Sequence, residues 1–284
     1  MRLVNLDGRL GIEVENRFID VATRSDGRFS PDPMDAFSVW QDLGRWASTL
    51  VAEEADPVLD VAQLGPPVPR PTQVFAIGLN YKDHAAEAGL PLPESPMVFT
   101  KFPTCLVGPN AEVPLTSDRV DWEVEQVVVI GREASRVRAS EAWDYVAGFC
   151  VGQDISDRRL QFSDKPPQFS LGKSAKAFGP IGPALVSLDE FADPDALVLR
   201  CWVAGEQMQE STTANLVFSV PELIEYISRY CPLQPGDLIF TGTPGGVGSV
   251  RDPRRYLAVG ETIDSEIEGI GRLSNLCVAE TEAS

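Results

Sequence analysis

The sequence predicts a β-rich α+β protein, in which a large domain of mixed strands follows a small N-terminal α/β unit. Three observations carry this reading. Short runs of β-branched and aromatic residues, closed by Gly, Asp, Asn or Pro, recur from Val74 onward. Apolar residues return at helical spacing in two segments. A proline-dense stretch, "LGPPVPRPTQ", reads as a semi-rigid linker, and the boundary placed there divides the chain into residues 1–68 and 69–284.

In the first unit, "RLVNL", "RLGIEVE" and "RFIDVA" are short strands broken by "DG" and "EN" turns. "PDPMDAFSVWQDLGRWASTLVAEEA" reads as a helix with proline near its start. The strands of the second unit are "VFAIGLN", "MVFTKF", "EVEQVVVIG", "YVAGFCVGQDI", "ALVLRCWVAG", "DLIFTGT" and "ETIDSEIEG". "SVPELIEYISRY" is its marked helix. Ser219 is the N-cap, Pro221 falls in the first turn and Glu222 completes a capping box.

Composition narrows the function. With 284 residues, 43% of them hydrophobic, the chain buries a sizeable core. Its net charge of -18 and the lack of any Lys/Arg run argue against nucleic acid as a partner. No apolar run approaches membrane length, and "MRLVNLDGRL" has no signal-peptide core, so no membrane partner is expected. The 5 cysteines are widely spaced and form no Cys-x-x-Cys pair, which reads as the reduced thiols of a cytoplasmic protein. There is a single histidine, His84, so any catalytic imidazole is that one.

The chemistry starts in "RVDWEVEQVVVIG", residues 119–131. Strand alternation puts Glu123, Glu125, Val127 and Val129 on one face, and Trp122, Val124, Val128 and Ile130 on the other. Two carboxylates side by side on a strand that is apolar on both faces repel each other and lose hydration. Either they lie at a wet strand end, or a cation holds them; an all-oxygen site suits Mg²⁺, Mn²⁺ or Ca²⁺. "AGFCVGQDISDRRLQ" offers a third carboxylate, Asp154, with Arg158 and Gln161 on the same side of a following helical turn. A helix-capping Asp with a surface Arg fits the same residues. "LGKSAKAFGPIGP" sets Lys173 in a loop constrained by two Gly-Pro steps, either aimed inward or solvated. "TGTPGGVG" lacks the lysine of a phosphate loop. It is a tight turn, or a loop whose amides and Thr243 hydroxyl approach a ligand carboxylate. In "GLNYKDHAAEAG", Glu87 lies three residues after His84, within reach to orient an imidazole acting as general base.

Together and in this order, from about Val74 to Val278, these landmarks resemble the fumarylacetoacetate hydrolase family. The resemblance implies a mixed β-sandwich roll, commonly a homodimer. It implies a divalent cation, Mg²⁺ or else Mn²⁺ or Ca²⁺, on Glu123, Glu125 and Asp154. Arg158, Gln161 and Thr243 match substrate-binding positions, Lys173 matches a catalytic one, and His84 with Glu87 match the water-activating pair of acylpyruvase-like members. Two departures stand out: Gln153 precedes the metal Asp where many members have Asn, and Asp157, Arg158, Arg159 stand where many members read Ala-Arg-Asp. The implied activity is hydrolysis of a carbon–carbon bond in a small anionic 2,4-dioxo acid. Decarboxylation of oxaloacetate, or isomerisation of a 2-hydroxy-dienedioate, is the alternative at the same site.

Overall fold

The computed structural model describes residues 1–280. Its frame is an 11-stranded mixed sheet. Across it run Arg17–Asp20, Arg9–Val14, Arg2–Leu6, Gly179–Ser187, Val146–Gln153, Val124–Ile130, Leu238–Phe240, Val74–Gly78 and Met97–Thr100. Two short strands, Leu64–Gly65 and Leu106–Val107, pair off this path. A second sheet of five strands is built from Glu206–Thr212, Val198–Val203, Thr262–Ile267, Gly271–Ala279 and Val113–Leu115. This is the sheet-rich α+β class that the strand pattern predicts.

The alternation in residues 122–130 is realised as two cores. Trp122, Val124, Val128 and Ile130 pack with Leu199, Cys201, Ile263 and Leu273 of the second sheet, forming a sandwich interior. Val127 and Val129 pack on the other face with Leu10, Ile12, Phe29, Phe37 and Leu43. Residues 1–68 contribute four strands to this sheet, Arg2–Leu6, Arg9–Val14, Arg17–Asp20 and Leu64–Gly65, and their apolar side chains pack on its second face.

Two elements differ from the sequence reading. The helix expected over residues 31–55 divides into 3₁₀ turns at Pro33–Val39 and an α-helix at Trp40–Ala47. Beyond Ala47 the chain buries little, Val51 being exposed, so no apolar packing sustains a longer helix. The Gly-Pro segment expected as a loop forms the strand Gly179–Ser187, which pairs with Val146–Gln153 on one side and Arg2–Leu6 on the other. Its register shifts between Phe149 and Val151, opposite Gly182, and Pro183 is tolerated at that irregularity. The helix Val220–Tyr230 carries the predicted capping box between Ser219 and Glu222 and buries Leu223, Ile224 and Ile227.

What positions the functional groups is how the central strand begins. Val124 pairs with Gln153 and Glu125 with Gly152, after which the neighbouring chain leaves the sheet at Asp154. Two backbone N–H groups there are served by side chains rather than by a strand. The Glu123 amide donates to Gln153 Oε1 at 2.9 Å, and the Val124 amide donates to Gln209 Oε1 at 3.0 Å. Gln153 Nε2 in turn donates to Ser265 Oγ at 2.9 Å, tying the site to the second sheet. A shorter asparagine would have to change that geometry, which gives the Gln153 departure a structural reason. Replacing Gln153 with Ala leaves the Glu123 amide buried and unpaired, so stability should fall by about 1–3 kcal/mol for each buried group so stranded. Chemical denaturation measures this, and an unchanged midpoint would remove Gln153 from the support of the site.

Candidate active site

Every residue from Val120 to Ile130 is buried, so Glu123 and Glu125 do not lie at a wet strand end. The Asp154 amide donates to the Glu123 carbonyl at 2.9 Å, which folds the third carboxylate back over the first two. Oxygens of Glu123, Glu125 and Asp154 all lie within 4.8 Å of one another. Capping of the next helical turn falls to Asp157 instead, whose side chain accepts from the amides of Arg159 and Leu160. Arg158, on that turn, is buried rather than on the surface.

Three cations surround the carboxylates. Lys173 Nζ donates to Glu123 Oε2 at 2.7 Å, Asp154 Oδ2 at 2.6 Å and Ser156 Oγ at 2.8 Å. Its three protons are thereby all committed. Arg158 Nη2 donates to Glu123 Oε1 at 2.6 Å, its Nε to Asp121 Oδ2 at 2.9 Å and its Nη1 to Gln161 Oε1 at 2.9 Å. Lys101 Nζ donates to Asp154 Oδ1 at 2.7 Å and to the carbonyls of Phe178 and Lys173. Burial alone would raise the Glu123 pKa, but the charges of Lys173 and Arg158 outweigh it and hold the carboxyl at about 2. Among the described residues, Glu125 accepts only the Gly242 amide, at 2.8 Å. Its burial, beside Asp154 and Glu123, drives its pKa well above the carboxylate range. Gly242 makes that bond from φ +105, a conformation that suits glycine.

Four buried carboxylates (Asp121, Glu123, Glu125, Asp154) thus face three buried cations (Lys101, Arg158, Lys173). The surplus negative charge, the oxygen-only donors and the underused Glu125 fit a hard divalent cation. Above the carboxylates opens a cavity of about 360 Å³ lined by Glu123, Glu125, Arg158, Gln161, Lys173, Thr243 and His84. Asp154 is fully buried and, like Glu87, does not reach the cavity lining. The Thr243 hydroxyl is less free than its motif suggests: it donates to the Val124 carbonyl at 2.9 Å and accepts from Gln209 at 2.8 Å.

His84 stands on the helix Lys82–Glu87, with Nδ1 3.6 Å from Glu87 Oε2 and no hydrogen-bond partner of its own. Burial opposes the charge on Glu87, yet the His84 contact, the Gly246 amide and Arg251 keep its pKa below the usual range. The helix is tethered through polar groups: Glu87 accepts from the Gly246 amide at 2.9 Å, and Asp83 accepts from the Ser211 hydroxyl at 2.7 Å.

Two residues of the site were missed in the sequence. Asp121 holds Arg158 and accepts the amides of Gly248 and Ser249, pinning the glycine-rich loop. Its signal was present, because it shares the alternation of Glu123 and Glu125. Lys101 follows the strand Met97–Thr100, and a lysine ending an apolar run was its only mark.

Removing the Lys173 charge would leave Glu123 and Asp154 short of a partner. In chelator-treated protein, Lys173→Met should lower unfolding stability by about 3–5 kcal/mol, the usual cost of breaking a buried ion pair. Added Mn²⁺ should recover much of that loss. Thermal unfolding with and without metal checks both, and a loss indifferent to Mn²⁺ would separate the lysine from the cation site.

Comparison with known proteins places this geometry. Residues 73–278 match the family model described as fumarylacetoacetate (FAA) hydrolase C-terminal. A fumarylacetoacetate hydrolase domain-containing protein 2 homolog from Dictyostelium discoideum is 38% identical over 94% of this chain and 92% of that protein. The human mitochondrial oxaloacetate tautomerase FAHD2A is 44% identical over 75% of this chain and 68% of its own. Among solved structures, maleylpyruvate hydrolase from Sphingobium sp. SYK-6, in complex with manganese (II) and pyruvate, superposes with a TM-score of 0.81. It is 27% identical and the match covers 99% of this chain and 100% of that one. The cytoplasmic placement expected from the cysteines is corrected by these relatives, since those from human, cattle, rat and Xenopus laevis are named as mitochondrial. Free thiols do not single out one compartment. The chain belongs to the fumarylacetoacetate hydrolase family.

Proposed function

We propose that this protein is a divalent-metal-dependent enzyme that moves a proton at the carbon beside the 2-oxo group of a small 2-oxo acid, interconverting keto and enol forms. The observation that carries the reading is the position of His84. Its imidazole lines the same cavity as Glu123 and Glu125, with Nδ1 turned toward Glu87. The relatives named as oxaloacetate tautomerases support it.

Glu123, Glu125 and Asp154 would hold the cation, Mg²⁺ or Mn²⁺. When bound it supplies Lewis-acid charge that makes a proton next to a 2-oxo group acidic. The remaining work belongs to the side chains. His84 takes the proton from carbon and returns it to oxygen, or the reverse. Glu87, held ionised, stabilises the imidazolium that exists between the two transfers. Lys173 and Arg158 fix the carboxylates in place and supply positive field to a developing oxyanion, without donating a free proton.

Carbon–carbon hydrolysis, the first expectation from the sequence, stays as a second reading. The His84–Glu87 pair and the likeness to a maleylpyruvate hydrolase favour it. A 3.6 Å contact is looser than a hydrogen bond, so water activation would require the pair to tighten around substrate.

Two variants test the assignment. Glu125→Gln should keep metal-free stability within about 1 kcal/mol, because burial beside Asp154 and Glu123 already disfavours a charge on Glu125. It should lose Mn²⁺ affinity in calorimetric titration; an undiminished affinity would take Glu125 out of the site. His84→Gln should bind Mn²⁺ normally and lower kcat for enol–keto conversion of oxaloacetate by about 10²–10⁴-fold, followed by the loss of enol absorbance. If NMR of the wild-type reaction instead shows acylpyruvates cleaved to pyruvate while the enol is untouched, the hydrolytic reading replaces this one.

A further inference from the structure

We infer that the preferred substrate carries one carboxylate and an apolar, aryl-like substituent, rather than a second carboxylate. This rests on the 2-oxo acid reading above and concerns the half of the cavity that the chemistry does not use.

That half is a wall of hydrocarbon. Leu90, Met97, Phe99, Phe162, Phe169 and Val250 all line it. The Phe169 ring lies 5.6 Å from Phe99 and 6.1 Å from Phe162, both edge-on at interplanar angles of 73° and 74°. This aromatic row starts at the carboxylate floor, where Lys173 Nζ is 5.3 Å from the Phe99 ring centre. It ends at the rim, where Phe162 is 55% exposed.

A second carboxylate would need a cation, and the two that line the cavity are already paired with carboxylates. Lys173 and Arg158 line the cavity, but the ammonium is spent on Glu123, Asp154 and Ser156, and the guanidinium on Asp121, Glu123 and Gln161. Thr243 has given its proton to the Val124 carbonyl. The side-chain hydrogens left uncommitted among the lining groups are those of His84, the Gln161 amide nitrogen, the Ser249 hydroxyl and the second hydrogen of Arg158 Nη1, on a guanidinium already neutralised by Asp121 and Glu123. Desolvating an unpaired carboxylate against the Phe wall is costly, whereas a phenyl or branched alkyl group buries there favourably. The net charge of -18 acts in the same sense, repelling a dianion more than a monoanion.

The test measures binding and turnover separately. Mn²⁺-loaded His84→Gln protein is titrated calorimetrically with phenylpyruvate and with oxaloacetate. Phenylpyruvate should bind about tenfold or more tightly, the usual discrimination of an apolar pocket. Phe162→Arg, at an exposed rim position, places a cation on the wall and should shrink or reverse that ratio; its melting curve and Mn²⁺ titration verify the fold. Equal or tighter oxaloacetate binding by the parent, or a ratio unmoved by Phe162→Arg, overturns the inference. Should the binding preference hold while wild-type enzyme interconverts neither enol, the failure lies in the proposed reaction and not in the tail specificity.

Discussion

Everything at the centre of this protein answers to one constraint: three buried carboxylates held within 4.8 Å of one another where two strands of the sheet part. Like charges at such distances interact strongly in low dielectric, and desolvation adds to the cost. The fold meets this with buried Lys101, Arg158 and Lys173, each hydrogen bonded directly to one or two of the four acids. The compensation is incomplete by one charge, and Glu125 carries the shortfall. A fully neutralised cluster would have no reason to attract a cation, and an uncompensated one would oppose folding.

The sheet's part is to make the geometry rigid without making it continuous. Strand pairing runs up to Val124 and Gln153 and then stops, which frees Glu123 and Asp154 to turn toward one another. Side-chain amides take over where the ladder ends. Farther along, the face the glutamates share with Val127 and Val129 is closed by the hydrophobic layer from residues 1–68 and the opposite face packs on the second sheet, so the strand bearing the acids is fixed from both sides. By contrast, the helix bearing His84 is attached largely by polar contacts from Asp83 and Glu87, besides the buried Ala85. Acid cluster and imidazole therefore belong to parts of the molecule with different stiffness.

Much of this was legible in the sequence because alternation is a strict geometric rule. Glu123 and Glu125 had to share a face, and Val127 and Val129 had to follow them. The rule also covered Asp121, whose function as the anchor of Arg158 goes unnoticed when attention stops at the pair. Lys101 was not legible, since a lysine at a strand end is ordinary and its burial depends on carbonyls contributed by Lys173 and Phe178, over seventy residues away. The strand Gly179–Ser187 was misread because glycine and proline punctuate loops in general, and only the pairing irregularity opposite Gly182 makes room for Pro183. Nor could spacing reveal that Thr243 spends its hydroxyl on the backbone, or that Asp157 caps the turn bearing Arg158.

The glutamine side chains at 153 and 209 have an implication for how such a site diverges. Each stands in for a missing strand neighbour at one amide of the acid-bearing segment, Gln153 also reaching the second sheet and Gln209 the glycine-rich loop. Exchange of either for a shorter or differently branched amide would displace the Glu123–Val124 backbone by fractions of an ångström while leaving every acid in place. Lineages sharing an identical set of ligands can therefore drift in cation preference through these struts alone. An inventory of ligand identities would record such lineages as unchanged.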